Sequence, residues 1–436
     1  MAKNFEQYLK EISKPHIKLT KLEFLQPDGS VAFSLGNTLS KDGHNSLYDT
    51  KCLIQAGTLN VTLQNGIRRK ASINLINKDS AFDYAVNKIW YGRQVRLSMG
   101  IQLADGTEFY LPQGVFYITS PKATHKQNEK TITYELTDKW AYLDGSLFGN
   151  LAALHQVNGG AGTNTNIFDA MQSILKWNRY DMDGNQATDE LKMLDNVKPV
   201  FTDFYNGKTT TYTDIDGTTY TMPLTSVFYT ITSESTAANI ILELNDMIAG
   251  IIGYDVTGAL RVEASDDDIS DSDKAVLWDF SLSDSNFFSF TETTQNEKIY
   301  NDIIITGEGL NDASVWGRAT NHDPNSNTNV DLIGMKTYRE NKAGYTTTQQ
   351  CVSLAKWYLK RKTVLKNQIT ITCGQLYHLQ ENGLISVKRT DKPNSPIERH
   401  VIQSFSIPLG QGSMTIQAVS VNDDPAITIT SSESNY

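Results

Sequence analysis

Apolar and polar residues alternate through most of this chain, and the alternation changes period at a few marked places. In the stretch Arg68 to Asp144, Ile73 and Leu75 alternate with polar neighbours, as a half-buried strand does. Phe82, Ala85, Val86 and Ile89 share one helical face, so a short helix is expected there. Val95, Leu97, Met99, Ile101 and Leu103 return to period two, and Asp105-Gly106 turns that strand back into Phe109 and Leu111. Val115 to Ile118 forms a compact apolar strand after Gly114, and Ile132, Tyr134 and Leu136 alternate once more. These elements predict a small antiparallel barrel or sandwich with a short helix plugging one end.

The flanks extend the same grammar. Phe5, Tyr8, Leu9 and Ile12 lie on one face of a short N-terminal helix ended by Pro15, which packs on its own barrel or on a neighbour. Ile17 to Leu25 is the first barrel strand, Asp28-Gly29 the next turn, and Phe33 to Gly57 a long polar loop, either a contact segment or an inert surface one. Ile167, Ala170, Met171, Ile174 and Leu175 predict a helix from about Asn166 to Trp177. Asp214-Ile215-Asp216-Gly217 turns between Thr- and Tyr-rich strands. A helix over Thr236 to Ala249, closed by Gly250, carries Ile240, Ile241, Leu244, Met247 and Ile248 on one stripe. A hairpin follows, Ile251 to Tyr254 and Ala259 to Val262 around Asp255-Val256-Thr257-Gly258.

A second barrel begins near Phe287, with the β-branched run Tyr300 to Gly307 as a buried strand. Ala319 to Gly334 is a loop by composition. Thr347 to Gln350 is a capping box opening a helix whose buried face is Cys351, Ala355, Tyr358 and Leu359. Strands are expected at Val364 to Cys373, Gly383 to Lys388, Val401 to Ile407 and Ser413 to Ser420, and a polar tail at the end.

Composition narrows the function classes. The chain has 436 residues, is 39% hydrophobic and 20% charged, and is globular, with room for two to four domains. A formal charge of −10 argues against a nucleic-acid-binding surface or adhesion to anionic lipid. The Lys360-Arg361-Lys362 cluster suits a helix C-terminus. Cys52, Cys351 and Cys373 have no metal or CxxC spacing and read as buried thilols of a protein folded in a reducing cytoplasm. No signal peptide and no apolar run of roughly 18 residues is apparent.

Candidate chemistry is sparse. The glycines of Asn158 to Gly162 lack a following Lys-Ser/Thr and a GxGxxG, so they read as a loop leading into a helix rather than a phosphate cradle. Asp181 to Asn185 starts like a calcium loop but has Gln186 and Lys192 where Gly and Glu are needed. The acidic run 263–273 either binds Ca²⁺ or is solvated. His322-Asp323 reads as an ordered turn and His378 as structural; Trp90, Trp140 and Trp357 read as core. There is no GxSxG, no HExxH and no helical His pair, so no catalytic, cofactor or metal residue is assigned and the chain is not expected to be an enzyme.

The order and spacing of Arg69, Ile73, Asn77, Phe82, Gly92, Val95, Gly100, Asp105-Gly106, Gly114, Phe116, Ile118 and Asp138 resemble the tail-hub family of bacteriophages. These are the baseplate hubs of contractile tails and the N-terminal hub module of siphophage tail-associated proteins. Gly253-Tyr254-Asp255, Asn301, the loop 319–334 and Asn382 to Val387 resemble later parts of the same family. The resemblance spans roughly residues 18–425 and implies a mainly β chain with two small antiparallel barrels alternating with two α/β subdomains. The implied boundaries are an arm (1–19), the first barrel (20–146), an α/β subdomain (147–282), the second barrel (283–310 and 363–425), an inserted loop-helix subdomain (311–362) and a tail (426–436).

It also implies a virion protein of the tail tip or baseplate, assembled in the host cytoplasm. Three copies would form a pseudo-sixfold ring that closes the tail tube, anchors a fibre or spike and other distal tail parts, and opens to pass DNA during host attachment and genome ejection. An acidic channel wall would not hold the passing phosphates. A peptidoglycan-cleaving domain, which some relatives append, is not expected within this chain. The alternatives are a hexameric distal tail ring protein and a receptor- or carbohydrate-binding tail protein. Segments 33–57 and 319–334 are the candidate contact surfaces.

Overall fold

In a computed structural model, residues 2–26, 28–37, 54–77, 92–127, 129–147, 236–248, 250–263, 275–281, 286–294, 299–308, 314–342, 348–363, 367–388, 397–420 and 427–431 are described. Between 147 and 236, only 156–157, 165–166, 171–172, 174–175, 191–193, 209–213, 219–225 and 229–230 are described.

Helix α1 (Ala2–Glu11) buries Tyr8 and, just past its end, Ile12, with Phe5 and Leu9 packed beside them. It packs on its own chain: the Tyr8 hydroxyl accepts from the Tyr377 amide at 3.0 Å, and its ring lies 5.5 Å from that of Phe109. Strands β1 (Ile17–Leu25) and β2 (Val31–Gly36) form an antiparallel hairpin whose Phe24 and Phe33 rings stack at 4.4 Å. The loop expected from Phe33 therefore begins after a strand. β3 (Ile54–Thr62), β4 (Arg69–Ile76), β5 (Gln94–Gln102), β6 (Glu108–Lys126) and β7 (Glu129–Asp138) follow, all paired antiparallel.

The Asp105-Gly106 turn forms as expected, with Gly106 at φ +86 and Asp105 Oδ1 accepting the Thr107 amide at 2.9 Å. The two strands expected at Phe109–Leu111 and Val115–Ile118 are one continuous β6, bent where the β5 register shifts between Leu97 and Ser98. The expected helix at 82–89, the glycine run and the capping residue Thr347 lie outside the described residues.

Short strands β8 (Gln156–Val157), β9 (Thr165–Asn166), β10 (Leu191–Met193), β11 (Thr209–Thr213), β12 (Thr219–Thr225) and β13 (Tyr229–Thr230) come next. β11 and β12 pair as the hairpin the Thr/Tyr pattern predicts. Asn166, expected to open a helix, is in strand β9; Met171, Ile174 and Leu175 are helical and buried. Helix α2 (Ala237–Ile248) buries Ile240, Ile241 and Leu244, and β14 (Ile251–Tyr254) and β15 (Leu260–Glu263) form the expected hairpin, Gly258 turning at φ +83. The Lys139 ammonium, in a 3-10 turn (Lys139–Tyr142), clamps this hairpin by donating to the Gly258 carbonyl at 2.9 Å.

β16 (Val276–Ser281) and β17 (Phe287–Thr294) lead to β18 (Asp302–Glu308), β19 (Ser314–Asn321), helix α3 (Val330–Ile333) and β20 (Thr337–Lys342). Helix α4 (Thr348–Lys362) and strands β21 (Asn367–Cys373), β22 (Leu384–Lys388), β23 (Glu398–Pro408), β24 (Met414–Ser420) and β25 (Ile427–Ser431) complete the chain.

The chain is mainly β with small helical insertions, as the pattern predicts. The two expected barrels are joined: their strands form one 13-stranded sheet in the order β17-β21-β24-β23-β3-β4-β7-β6-β5-β1-β2, with β22 on β23 and β16 on β22. Neither half closes on itself among the described residues. One apolar core runs through both halves, from Phe24, Ile73 and Tyr134 to Ile369, Phe405 and Ile416. β18, expected in the second barrel, instead centres a four-stranded sheet, β20-β18-β19-β25. That sheet packs Ile303, Ile305 and Ala319 against Cys351, Leu354, Ala355 and Leu359 of α4. Parallel pairing with β20 explains the placement: a run buried by a covering helix reads as continuously apolar, like a barrel strand. Residues 427–431, expected in a tail, form the edge strand β25.

Candidate functional site: a braced loop and a buried clasp

Two of the residues that carry the family resemblance, Arg69 and Asp138, meet in a buried clasp. Asp138, at the end of β7, caps the 3-10 turn: its Oδ1 accepts the Trp140 amide at 3.1 Å. Its Oδ2 accepts the amides of Arg68 and Arg69 at 2.8 and 2.9 Å. Burial pushes this carboxyl up to about 6, against the downward pull of the Arg69, Arg68 and Trp140 amides. The Arg69 guanidinium is 1% exposed, pairs with Glu381 and donates to the Gln113 carbonyl at 3.1 Å. Arg68 pairs with Glu263 at 2.7 Å and lies 3.9 Å from Glu381. Asn382 Nδ2 donates to Glu263 at 3.2 Å.

Two arginines thus face two glutamates, and the four tie the turn before β4 to β15 and to the turn before β22. A buried charge must be paired, so this clasp fixes how those elements dock. Gly114 makes room for it: a Cβ there would lie 2.7 Å from the Phe116 ring and 3.4 Å from Arg69 Cδ. Gly100 is a second close approach, since a Cβ there would lie 1.8 Å from the Phe109 carbonyl oxygen. Gly92 takes φ +78, and Asn77 is fully buried with its amide donating to the Lys130 carbonyl. Phe82 lies outside the described residues. The pattern therefore marks bracing positions. Sequence reasoning did not single out Arg68, Glu263 or Glu381. Glu263 opens the acidic run 263–273, and the only local signal near Glu381 is the adjacent Asn382-Gly383.

The segment 319–334, expected as a loop throughout, ends strand β19 at Asn321 and holds helix α3 at Val330–Ile333; between them 322–329 is an ordered turn, as expected for His322-Asp323. Asn301 is fully buried beneath it: Nδ2 donates to the Thr328 and Gly334 carbonyls at 3.0 and 2.8 Å, and Oδ1 accepts the Lys336 amide at 2.7 Å. Asn321 Nδ2 donates to Ser326 and Thr328 hydroxyls at 2.9 and 3.1 Å. Asn329 caps α3, and Gly334 ends it at φ +76. At the base, Arg318 grips Asp302 with two bonds of 2.6 and 3.0 Å, and Thr320 and Thr337 also donate to that carboxylate. Burial raises the Asp302 carboxyl, but these donors outweigh it and hold it below the usual carboxylate range.

On this braced frame Leu332, Met335 and Ile333 stand 69%, 56% and 37% exposed. These three large side chains form an exposed apolar patch on a hydrogen-bonded loop, and fully burying an exposed side chain of this size is worth about 1.5–3 kcal/mol. His322 lies at the loop's edge, exposed, with Nδ1 3.4 Å from Asp331 Oδ2. For the other candidate segment, 33–57, only its strand ends are described.

The remaining sequence candidates are structural. His378 sits between Tyr8 and β16: Nδ1 is 3.1 Å from the Tyr8 hydroxyl and Nε2 3.3 Å from the Leu277 carbonyl, and burial pulls it down to about 4. Cys351 and Cys373 are buried free thiols, and burial pushes Cys351 up to about 11. Cys52, the calcium-like loop at 181–185 and acidic residues 264–273 lie outside the described residues, as does Trp90; Trp140 is buried. No described helix is long and apolar enough to cross a membrane.

A 13-stranded sheet continuous between two halves and a separate helix-covered sheet make up the fold. Two solved structures share it. The tail protein from Neisseria meningitidis MC58 is 9% identical, with a TM-score of 0.56 over 93% of this chain and 97% of that one. The 43 kDa tail protein of prophage MuSo2 from Shewanella oneidensis is 12% identical, with a TM-score of 0.54 over 93% and 99%. No protein-family model and no curated protein sequence matches this chain. At such identity the likeness is one of fold.

Proposed function

We propose that this chain is a structural, non-enzymatic hub of a phage-type tail or baseplate. Three copies form a ring at the distal end of the tail tube, bind neighbouring tail proteins and a fibre or spike, and open for DNA. The observation that carries this reading is the fold shared, nearly end to end, with two tail proteins of similar length. The open sheet supports the ring geometry: each chain offers two linked halves, and three chains would present six to a sixfold tube. Its role is then association. The clasp keeps the two halves and the β14–β15 hairpin in one register, and the loop bearing Leu332 and Met335 supplies a subunit contact. The four-part organisation belongs to the same proposal, with each sheet half acting as one ring module.

Light scattering on the purified chain tests this. A trimer of 48.6 kDa chains reads about 146 kDa. A hexamer of about 292 kDa would replace the hub by a sixfold tail ring.

A further inference from the structure

A cleft of about 390 Å³ opens where three parts of the chain meet, apart from both the clasp and the braced loop. Asn65 comes from the turn between β3 and β4, Asp246, Gly250 and Ile251 from the α2–β14 junction, and Trp357, Tyr358 and Lys362 from α4. Its size is within the range of small-ligand sites.

The cleft is braced by a charged and aromatic network. The Lys342 ammonium bonds Asp246 and Glu340, both at 2.9 Å. The Tyr338 hydroxyl donates to Glu340 at 3.0 Å. The Lys362 ammonium stands 4.2 Å from the Tyr338 ring centroid and 5.2 Å from that of Tyr358. Trp357 and Tyr358 rings lie 5.3 Å apart.

Charge decides the ligand class. Among the described residues, Lys342 and Lys362 match Asp246 and Glu340 one for one, so these four leave no excess charge to select an anion or a cation. Its polar equipment is mixed. Asp246 is 61% exposed and offers a carboxylate acceptor. Asn65 spends its Oδ1 on the Ile252 amide at 2.9 Å, so the amide end left over is a donor. A ligand that matches donors and acceptors together, and has an apolar face for an aromatic wall, is an uncharged polyhydroxyl ring. We propose that this cleft is a binding site for a neutral saccharide, with Asp246 and Asn65 bonding hydroxyls and Trp357 and Tyr358 supplying the apolar contact. The site is independent of the tail reading and stands or falls without it.

The test uses the full chain and four trimeric sugars of equal size, followed by ligand-observed NMR and titration calorimetry. Two are neutral, maltotriose and tri-N-acetylchitotriose; one is cationic, triglucosamine; one is anionic, trigalacturonate. At least one neutral trimer should bind with millimolar or better affinity, at least about tenfold tighter than either charged one. Asp246→Ala should weaken it about tenfold, and Asn65→Ala, which also removes a backbone bond, by at least as much, with the thermal midpoint recorded for each. Phe288→Ala, at an exposed remote position, should change nothing. The proposal is overturned if neither neutral trimer binds, if a charged trimer binds as well as the neutral ones, or if folded Asp246→Ala binds undiminished.

Discussion

Neutralising one member of the clasp should cost far more than its single ion pair suggests, and removing the pair whole should cost less than the two separate losses. Glu381 and Arg69 side chains are 4% and 1% exposed, and Arg68, at 2%, stands 3.9 Å from the same carboxylate. Glu381→Gln keeps the shape and one acceptor, but leaves two buried guanidiniums against Glu263 alone. Breaking one side of a buried pair costs about 3–5 kcal/mol. The retained acceptor puts Glu381→Gln near the low end, about 3 kcal/mol. Arg69→Met, of similar length, strands Glu381 with only the 3.9 Å contact to Arg68, for about 3 kcal/mol more. Together the two changes leave Arg68 with Glu263 and no uncompensated charge. The double variant should therefore be destabilised by about 3 kcal/mol rather than about 6, a coupling of about 3 kcal/mol. Urea unfolding followed by tryptophan fluorescence gives the three differences from the midpoint at constant slope. Singles below about 1 kcal/mol, or a strictly additive double, would refute the clasp as a coupled buried unit.

Four other outcomes follow from the same geometry. Asp138 has a folded value near 6 against 3.8 unfolded, so the folded state favours its protonated form. Its contribution is full below the unfolded value and lost as pH rises through about 6; stability of wild type relative to Asp138→Asn should fall by about 3 kcal/mol across that window, and a flat difference would contradict the burial argument. His378 runs the other way, with a folded value near 4 against 6.5, so its contribution is present above 6.5 and lost as pH falls toward 4. Wild type relative to His378→Gln should lose about 3 kcal/mol over that fall, read by the same urea series. Gly100→Ala must push a methyl into the Phe109 carbonyl and should destabilise by at least about 2 kcal/mol, or prevent soluble folding; a variant of wild-type midpoint would contradict the close approach. Leu332→Asp with Met335→Asp should abolish self-association in light scattering while the isolated chain's stability shifts by less than about 1 kcal/mol.

Local pattern carried the local structure. The Asp105-Gly106 hairpin, the α2 stripe, the β14–β15 turn and the buried face of α4 follow from period and turn chemistry acting within a few residues. Pairing between distant segments was not legible. Nothing in β3 or β23 says that Phe405 pairs with Val61 and joins the halves into one sheet. β18 lies outside the expected second barrel because a run buried under a helix and one buried inside a barrel have the same apolar signature. The same limit applies to the clasp: Arg69 and Asp138 stand out by spacing, but Glu381, the ion-pair partner of Arg69, is 312 residues away from it and has no local mark. The loop 319–334 was readable as an ordered turn from its Asn and Pro content. Its exposed apolar patch was not, because Leu332 and Met335 stand on a turn held by the buried Asn301.

The central claim is a place at the distal end of a tail. Tailed particles produced from the genome that encodes this chain can be purified, labelled with gold-conjugated antibody against it, and imaged by electron microscopy, with copy number taken from quantitative mass spectrometry. A trimeric distal hub gives label at the tip opposite the capsid and three copies per particle. Label on the capsid or along the tail shaft, or particles that lack the chain, would contradict it.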